Sequence, residues 1–195
     1  MTYGYDALGR RTTEANPLGK VTTSSYDAVG RRTSQIDARG WRTTYAFDTL
    51  GRATTVSYQD GSAVTFVYDA ASRRTGATDA AGVTTWTYDA LARPTVVNNP
   101  GGRRVSVAYD SGGRRSTLTE PGGGVFTYSF DSASRLAGVV NPQGERTTWA
   151  YDSLSRVSTL TYANTATVTY SYDAASRTTG VRNAKSDATA IAGFV

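Results

Sequence analysis

An aromatic residue followed by Asp returns along this chain every 20 or 21 residues, and that spacing settles most of what the chain can fold into. The pair stands at Tyr5-Asp6, Tyr26-Asp27, Phe47-Asp48, Tyr68-Asp69, Tyr88-Asp89, Tyr109-Asp110, Phe130-Asp131, Tyr151-Asp152 and Tyr172-Asp173. An Arg lies four residues beyond each Asp, at Arg10, Arg31, Arg52, Arg73, Arg93, Arg114, Arg135, Arg156 and Arg177. Coincidence at both positions in every copy identifies a tandem array. Residues 1–195 therefore read as a single array of about nine 21-residue repeats, the last of them, 178–195, degenerate or truncated.

Two turn signals divide each repeat. The first runs from the Asp to the Arg, as in Asp27–Arg31, and carries Gly, Ser or, once, Ala92 just before the Arg. The second places Asn, Asp or Glu three residues before a Gly, as at Gly19, Gly40, Gly82, Gly123 and Gly144, with Gly61 in the same phase. Asp or Asn opening such a turn accepts hydrogen bonds from the amides ahead. Gly at the fourth position takes the left-handed conformation of a three-residue hairpin loop. Ser or Ala would hold that conformation at a cost of about 1 kcal/mol over Gly, so the first turn is expected to vary in geometry.

Between the turns lie six or seven residues rich in Thr, Val, Tyr and Trp. Val64, Phe66 and Tyr68 alternate with other residues, as do Thr147, Trp149 and Tyr151. Period two is the signature of a strand, and it gathers the rings on one face. The strand leaving the first turn reads Arg, Thr and an apolar residue at alternate positions, as in Arg52, Thr54 and Val56. A bulge at the turn would decide which face that series takes, so both faces stay open for it. No stretch has a helical period. The expected fold is all-β, with tandem hairpins side by side in a curled or spiralling strip.

Composition narrows the chemistry. The chain has no Cys and no His, which removes disulfides, the usual zinc ligands and the commonest general base. No apolar run approaches the roughly 20 residues of a membrane-spanning helix. Repeated Asp-Arg pairs could in principle do acid-base work, but catalytic groups are normally singular and sit in a pocket. Equivalent pairs at every turn read better as a structural lock, with no catalytic, metal or cofactor role expected. Calcium would need more oxygen ligands than one turn supplies. The formal charge of +5 suggests nucleic acid, yet much of the Arg belongs to the repeat, and Arg11, Arg32, Arg74 and Arg115 directly follow it. The charge is thus assigned largely to the repeated Arg and spread by the period, and nucleic acid is not an expected partner. Aromatic stripes also bind sugars, which leaves a glycan as a minor candidate partner, testable at Trp86 or Trp149.

The aromatic-Asp-x-x-Gly-Arg unit resembles the YD repeat of the RHS family. That family includes bacterial polymorphic toxins, shell subunits of insecticidal toxin complexes, wall-associated proteins and teneurins. The resemblance implies hairpins joined into a strip that spirals into a hollow β-shell, often enclosing a toxin, in a protein exported or displayed at a bacterial surface. It carries over a structural role for the repeat residues and nothing catalytic. Many toxin members cut themselves at an Asp-Pro segment; no Asp-Pro occurs here, so self-cleavage is not expected of these residues. The expected function is a non-enzymatic wall segment. A self-assembling filament or surface protein and a carbohydrate-binding module are the alternatives.

The ends fit a strip that continues. Asn183 is expected to open a second turn in which Ser186 replaces the Gly, and Ile191 to Phe194 look like the start of another strand. Open terminal strands would pair with adjacent repeats of a longer chain or with further copies. Eighteen strands about 4.8 Å apart give a strip of roughly 85 Å. A wall around a 100-residue guest needs on the order of 130 Å, so this length alone is not expected to close a container.

Overall fold

Hairpins of one kind, repeated, make up the structure, a computed structural model that describes residues 1–185 and the backbone of 190–194. It forms two compact units, residues 1–104 and 105–195. In the first, β1 (Thr2–Tyr5), β2 (Arg11–Ala15) and β3 (Val21–Tyr26) begin an antiparallel meander that runs on to β10 (Pro94–Asn99). Each strand pairs with its neighbours in sequence. The second unit, which begins within β11 (Arg103–Tyr109), repeats the plan to β19 (Ala190–Phe194). The fold is all-β, as the alternation requires.

Both turns of a repeat have the same backbone design. In the first, the Asp48 amide donates to the Arg52 carbonyl at 2.9 Å and the Gly51 amide donates back to the Asp48 carbonyl at 3.0 Å. In the second, Asn16, Gly19 and Lys20 make the corresponding pair of bonds. This is the three-residue loop ending in a left-handed residue. Gly19, Gly40, Gly61, Gly123 and Gly144 take φ between 73° and 87° there. Gly82 differs from the expectation: it pairs directly with Asp79 across a two-residue loop, at φ 127°. The short repeat between Asp69 and Asp89 has one residue fewer, and this tighter loop absorbs the deletion without disturbing either strand.

A bulge resolves the face left open by sequence. Every first-turn hairpin skips the second residue after the repeated Arg; in the hairpin of β7 (Ala63–Tyr68) and β8 (Arg74–Asp79), Tyr68 opposes Arg74 while Val67 opposes Gly76. Thr75 is the residue passed over. A one-residue slip reverses every side chain beyond it. The apolar residues of the leaving strand thereby join the aromatic face. Val56 stands opposite Tyr45 and Val64, and Leu160 opposite Trp149 and Val168.

Strand β18 (Thr178–Ala184) corrects the reading of the last repeat. Asn183 lies within it, opposite Val168 and Ala192, and so opens no turn. Ser186, the other half of that expectation, lies outside the described residues. No hydrophobic side chain among the described residues is buried; Ser34, at 8% exposure, is the one buried polar side chain. Backbone ladders and cross-strand side-chain pairs, worth about 0.2–1 kcal/mol each, must therefore carry stability that a packed core supplies elsewhere.

Candidate functional site

The Asp of the first turn uses both carboxylate oxygens. Oδ1 of Asp48 accepts the backbone N–H groups of Leu50 at 3.0 Å and Arg52 at 2.9 Å, which fixes the turn. Oδ2 accepts Nε of Arg52 at 2.7 Å. The Nε–Oδ2 bond recurs in all nine repeats at 2.6–2.8 Å. The nine Asp side chains are only 22–26% exposed, and eight of the Arg side chains 23–34%, with Arg177 at 81%.

These contacts hold each carboxyl below the ordinary Asp range. At Asp48 the Arg52 amide contributes most, partial burial opposes it, and the guanidinium adds to it. At Asp110 the Arg114 guanidinium leads. At Asp27 burial is the largest single influence and raises the value, yet the Arg31 guanidinium and amide together bring it down.

The guanidinium then reaches beyond its own hairpin. Nη1 of Arg52 donates to the Asp69 carbonyl at 3.0 Å and to Ser72 Oγ at 3.2 Å, both in the next repeat. Its guanidinium carbon lies 4.8 Å from the centre of the Tyr68 ring. The Tyr68 hydroxyl donates at 2.8 Å to the carbonyl of Ala53, the residue after the Arg. One Arg thus joins its own Asp, the next turn and the next aromatic ring, and the ring closes the circuit. The same stacking occurs from Arg10 onto Tyr26, Arg31 onto Phe47, Arg73 onto Tyr88, Arg114 onto Phe130, Arg135 onto Tyr151 and Arg156 onto Tyr172, at 4.4–5.0 Å. Hydroxyls of Tyr26, Tyr88, Tyr151 and Tyr172 likewise reach back to the preceding repeat. Phe47 and Phe130 have no hydroxyl and keep the stacking, so the ring is the common element.

This reach also corrects the expectation that the first turn varies. Ser72, Ala92, Ser134, Ser155 and Ser176 sit at φ 60–63°, left-handed like Gly9, Gly30, Gly51 and Gly113. For Ser there is a compensation. Ser72, Ser134, Ser155 and Ser176 each accept Nη1 of the preceding Arg at 3.0–3.2 Å. Ala92 has no such acceptor, and the hydrogen bond Arg73 makes to that turn goes to the Asp89 carbonyl, at 3.3 Å. Ala92→Ser is therefore expected to raise stability by about 0.5–1 kcal/mol, one added hydrogen bond without a change of backbone. Urea unfolding monitored by circular dichroism checks it, with Arg73→Ala/Ala92→Ser expected to show no gain over Arg73→Ala alone.

The lock also moves the net charge. Each repeated Arg is neutralised by its own Asp, so the +5 does not come from the repeat. Removing nine pairs from 21 basic and 16 acidic residues leaves 12 against 7. The excess belongs to Arg and Lys outside the lock. Among the described residues no group of three or more acidic side chains is placed to hold a metal ion, and no helix is long and apolar enough to cross a membrane.

Solved structures share this fold. The chain superposes on the crystal structure of TcdB2-TccC3 with a TM-score of 0.78 at 16% identity, covering 98% of this chain and 12% of that one. On TcdB2-TccC3-TEV the TM-score is 0.80 at 16% identity, over 98% of this chain and 11% of the other. On a Tc holotoxin pore of Photorhabdus luminescens bearing a TccC3 substitution it is 0.79 at 16%, again over 98% and 11%. The chain thus spans about a tenth of the length of these neighbours. No curated protein matches it. The model of the Teneurin YD-shell family matches residues 1–190, which takes in every Asp-Arg lock described above, and the chain belongs to that family.

Proposed function

We propose that this chain is a non-enzymatic wall segment of a shell that encloses or presents a toxin or other effector, in a protein secreted by a bacterium or displayed on its surface. The observation that carries the reading is the lock itself. Within each unit it binds one hairpin to the next without asking for a buried apolar layer, which is what a thin wall requires and a globule does not. Family membership and the likeness to toxin-complex structures support it. Adjacent stretches of the same kind of strip are the expected partners, because the chain spans only about a tenth of the length of those neighbours.

Electron microscopy of the native assembly that contains this chain tests the reading. Closed hollow particles, with a guest resistant to protease until the particle is opened, are expected. Open filaments or isolated strips, with the guest cut at the rate of free protein, would overturn it.

A further inference from the structure

We propose that the aromatic face of the sheet binds acidic, carboxylate-rich stretches of polypeptide through a set of stacked arginines outside the lock, Arg32 and Arg74 in the first unit and Arg115 in the second. Each follows a lock Arg in sequence and projects over rings two residues ahead of the aromatic-Asp pairs. The Arg32 guanidinium carbon lies 5.3 Å from the centre of Tyr45. That of Arg115 lies 5.8 Å from Tyr128. Arg74 lies between two rings, 5.2 Å from Phe66 and 5.6 Å from Trp86. It borders a groove of about 430 Å³ lined also by Tyr68, Ser72, Trp86 and Tyr88.

Stacking engages the flat side of a guanidinium and leaves the N–H edge free. Among the described residues no carboxylate pairs with Arg32, Arg74 or Arg115; the related Arg11 is paired, with Glu14 at 3.3 Å. A pre-oriented guanidinium edge is the natural partner of a carboxylate, which takes two parallel N–H bonds without disturbing the ring beneath. Nucleic acid fits less well. Bases need open ring faces on which to stack, and these rings already carry an Arg. The same cover disfavours sugar stacking.

Spacing adds a constraint. Arg32 and Arg74 are two repeats apart, four strands or roughly 19 Å across the sheet. An extended chain advances about 3.3–3.6 Å per residue, so acidic residues five or six apart on a guest would meet both.

The inference rests on the wall reading only in that a guest meets this face. Its test is independent of whether a wall closes. Fluorescein-labelled poly-L-glutamate is titrated with the whole chain at low salt and followed by anisotropy and Trp fluorescence. Binding is expected, and the variant Arg32→Gln/Arg74→Gln/Arg115→Gln should weaken it about tenfold or more while the circular dichroism stays unchanged. The variant Lys20→Gln/Arg42→Gln/Arg104→Gln removes the same charge near the second turns and should stay within about twofold. No binding of polyglutamate by the parent chain, or equal loss in both variants, would overturn the proposal. Tighter, face-dependent binding of an oligothymidylate of equal charge would also overturn it, in favour of a nucleic-acid surface. A failure here leaves the wall reading standing on its own microscopy test.

Discussion

Acid is expected to unfold this chain in one steep transition below about pH 4, with stability flat between about pH 6 and 8. The flat region follows from the absence of His. The steepness follows from repetition. Asp6, Asp27, Asp48, Asp69, Asp89, Asp110, Asp131, Asp152 and Asp173 all have carboxyl pKa values lowered from 3.8, and so do Asp37 and Asp60 in second turns. A carboxyl whose folded value lies below its unfolded value stabilises the fold fully above the unfolded value. That stabilisation is lost as pH falls through the folded value. Because the shifts share one sign, the unfolded chain takes up several more protons than the folded one in the same narrow window. Slope in pH scales with that number. Protonation has a second consequence. It leaves nine guanidiniums in rows with successive members roughly 10 Å apart, within a Debye length at 0.1 M salt, so repulsion adds to the lost pairing. Near-ultraviolet circular dichroism of the Tyr and Trp residues against pH checks the expectation. A chain that keeps its signal at about pH 2, or loses it above about pH 5, would show that the carboxylates do not hold the repeats together.

What sequence could and could not show divides along the period. The turn chemistry is local: Asp48, Gly51 and Arg52 lie within five residues, and their types alone announce a hairpin. The lock between repeats is not local, since Arg52 acts on Tyr68 and Ser72, 16 and 20 positions on. Both partners recur with the same period, so every Arg keeps one fixed spacing from the ring behind it, five residues, and a nearly fixed one from the ring ahead, 15 or 16. Periodicity therefore cannot say which one it touches. A signal did exist in the turn: Ser holds a left-handed position four times where Gly would be easier, which implies a compensating contact. The bulge was hidden for a different reason. Thr75 and its equivalents are ordinary strand residues, and nothing in their chemistry marks them as the ones the register passes over. The charge was misassigned because a count of Arg ignores its pairing.

Arg52→Ala is expected to cost more than any single change in a turn, about 2–4 kcal/mol, mainly through its contacts with the next repeat rather than its bond to Asp48. Loss of stacking on Tyr68 accounts for about 0.5–2 kcal/mol. Loss of the bonds to the Asp69 carbonyl and Ser72 Oγ adds about 0.5–1.5 kcal/mol each. In a linear array stability is a sum of repeat terms and nearest-neighbour terms. Removing a neighbour term in the middle of the first unit should therefore broaden its unfolding as well as lower the midpoint, on the order of 10 °C for about 100 residues. Two variants separate this account from a simple loss of charge. Arg52→Lys keeps the charge but not the planar fork, which must serve Asp48 through Nε and the next turn through Nη1 together, so it should recover little. Tyr68→Ala in the Arg52→Ala background should cost distinctly less than Tyr68→Ala alone, because the two side chains share one contact. Thermal unfolding of the four chains of this cycle, with Arg52→Lys beside them, decides the matter. Full recovery by Lys, or additive losses at Arg52 and Tyr68, would mean that each hairpin stands alone and that the Arg serves only its own turn.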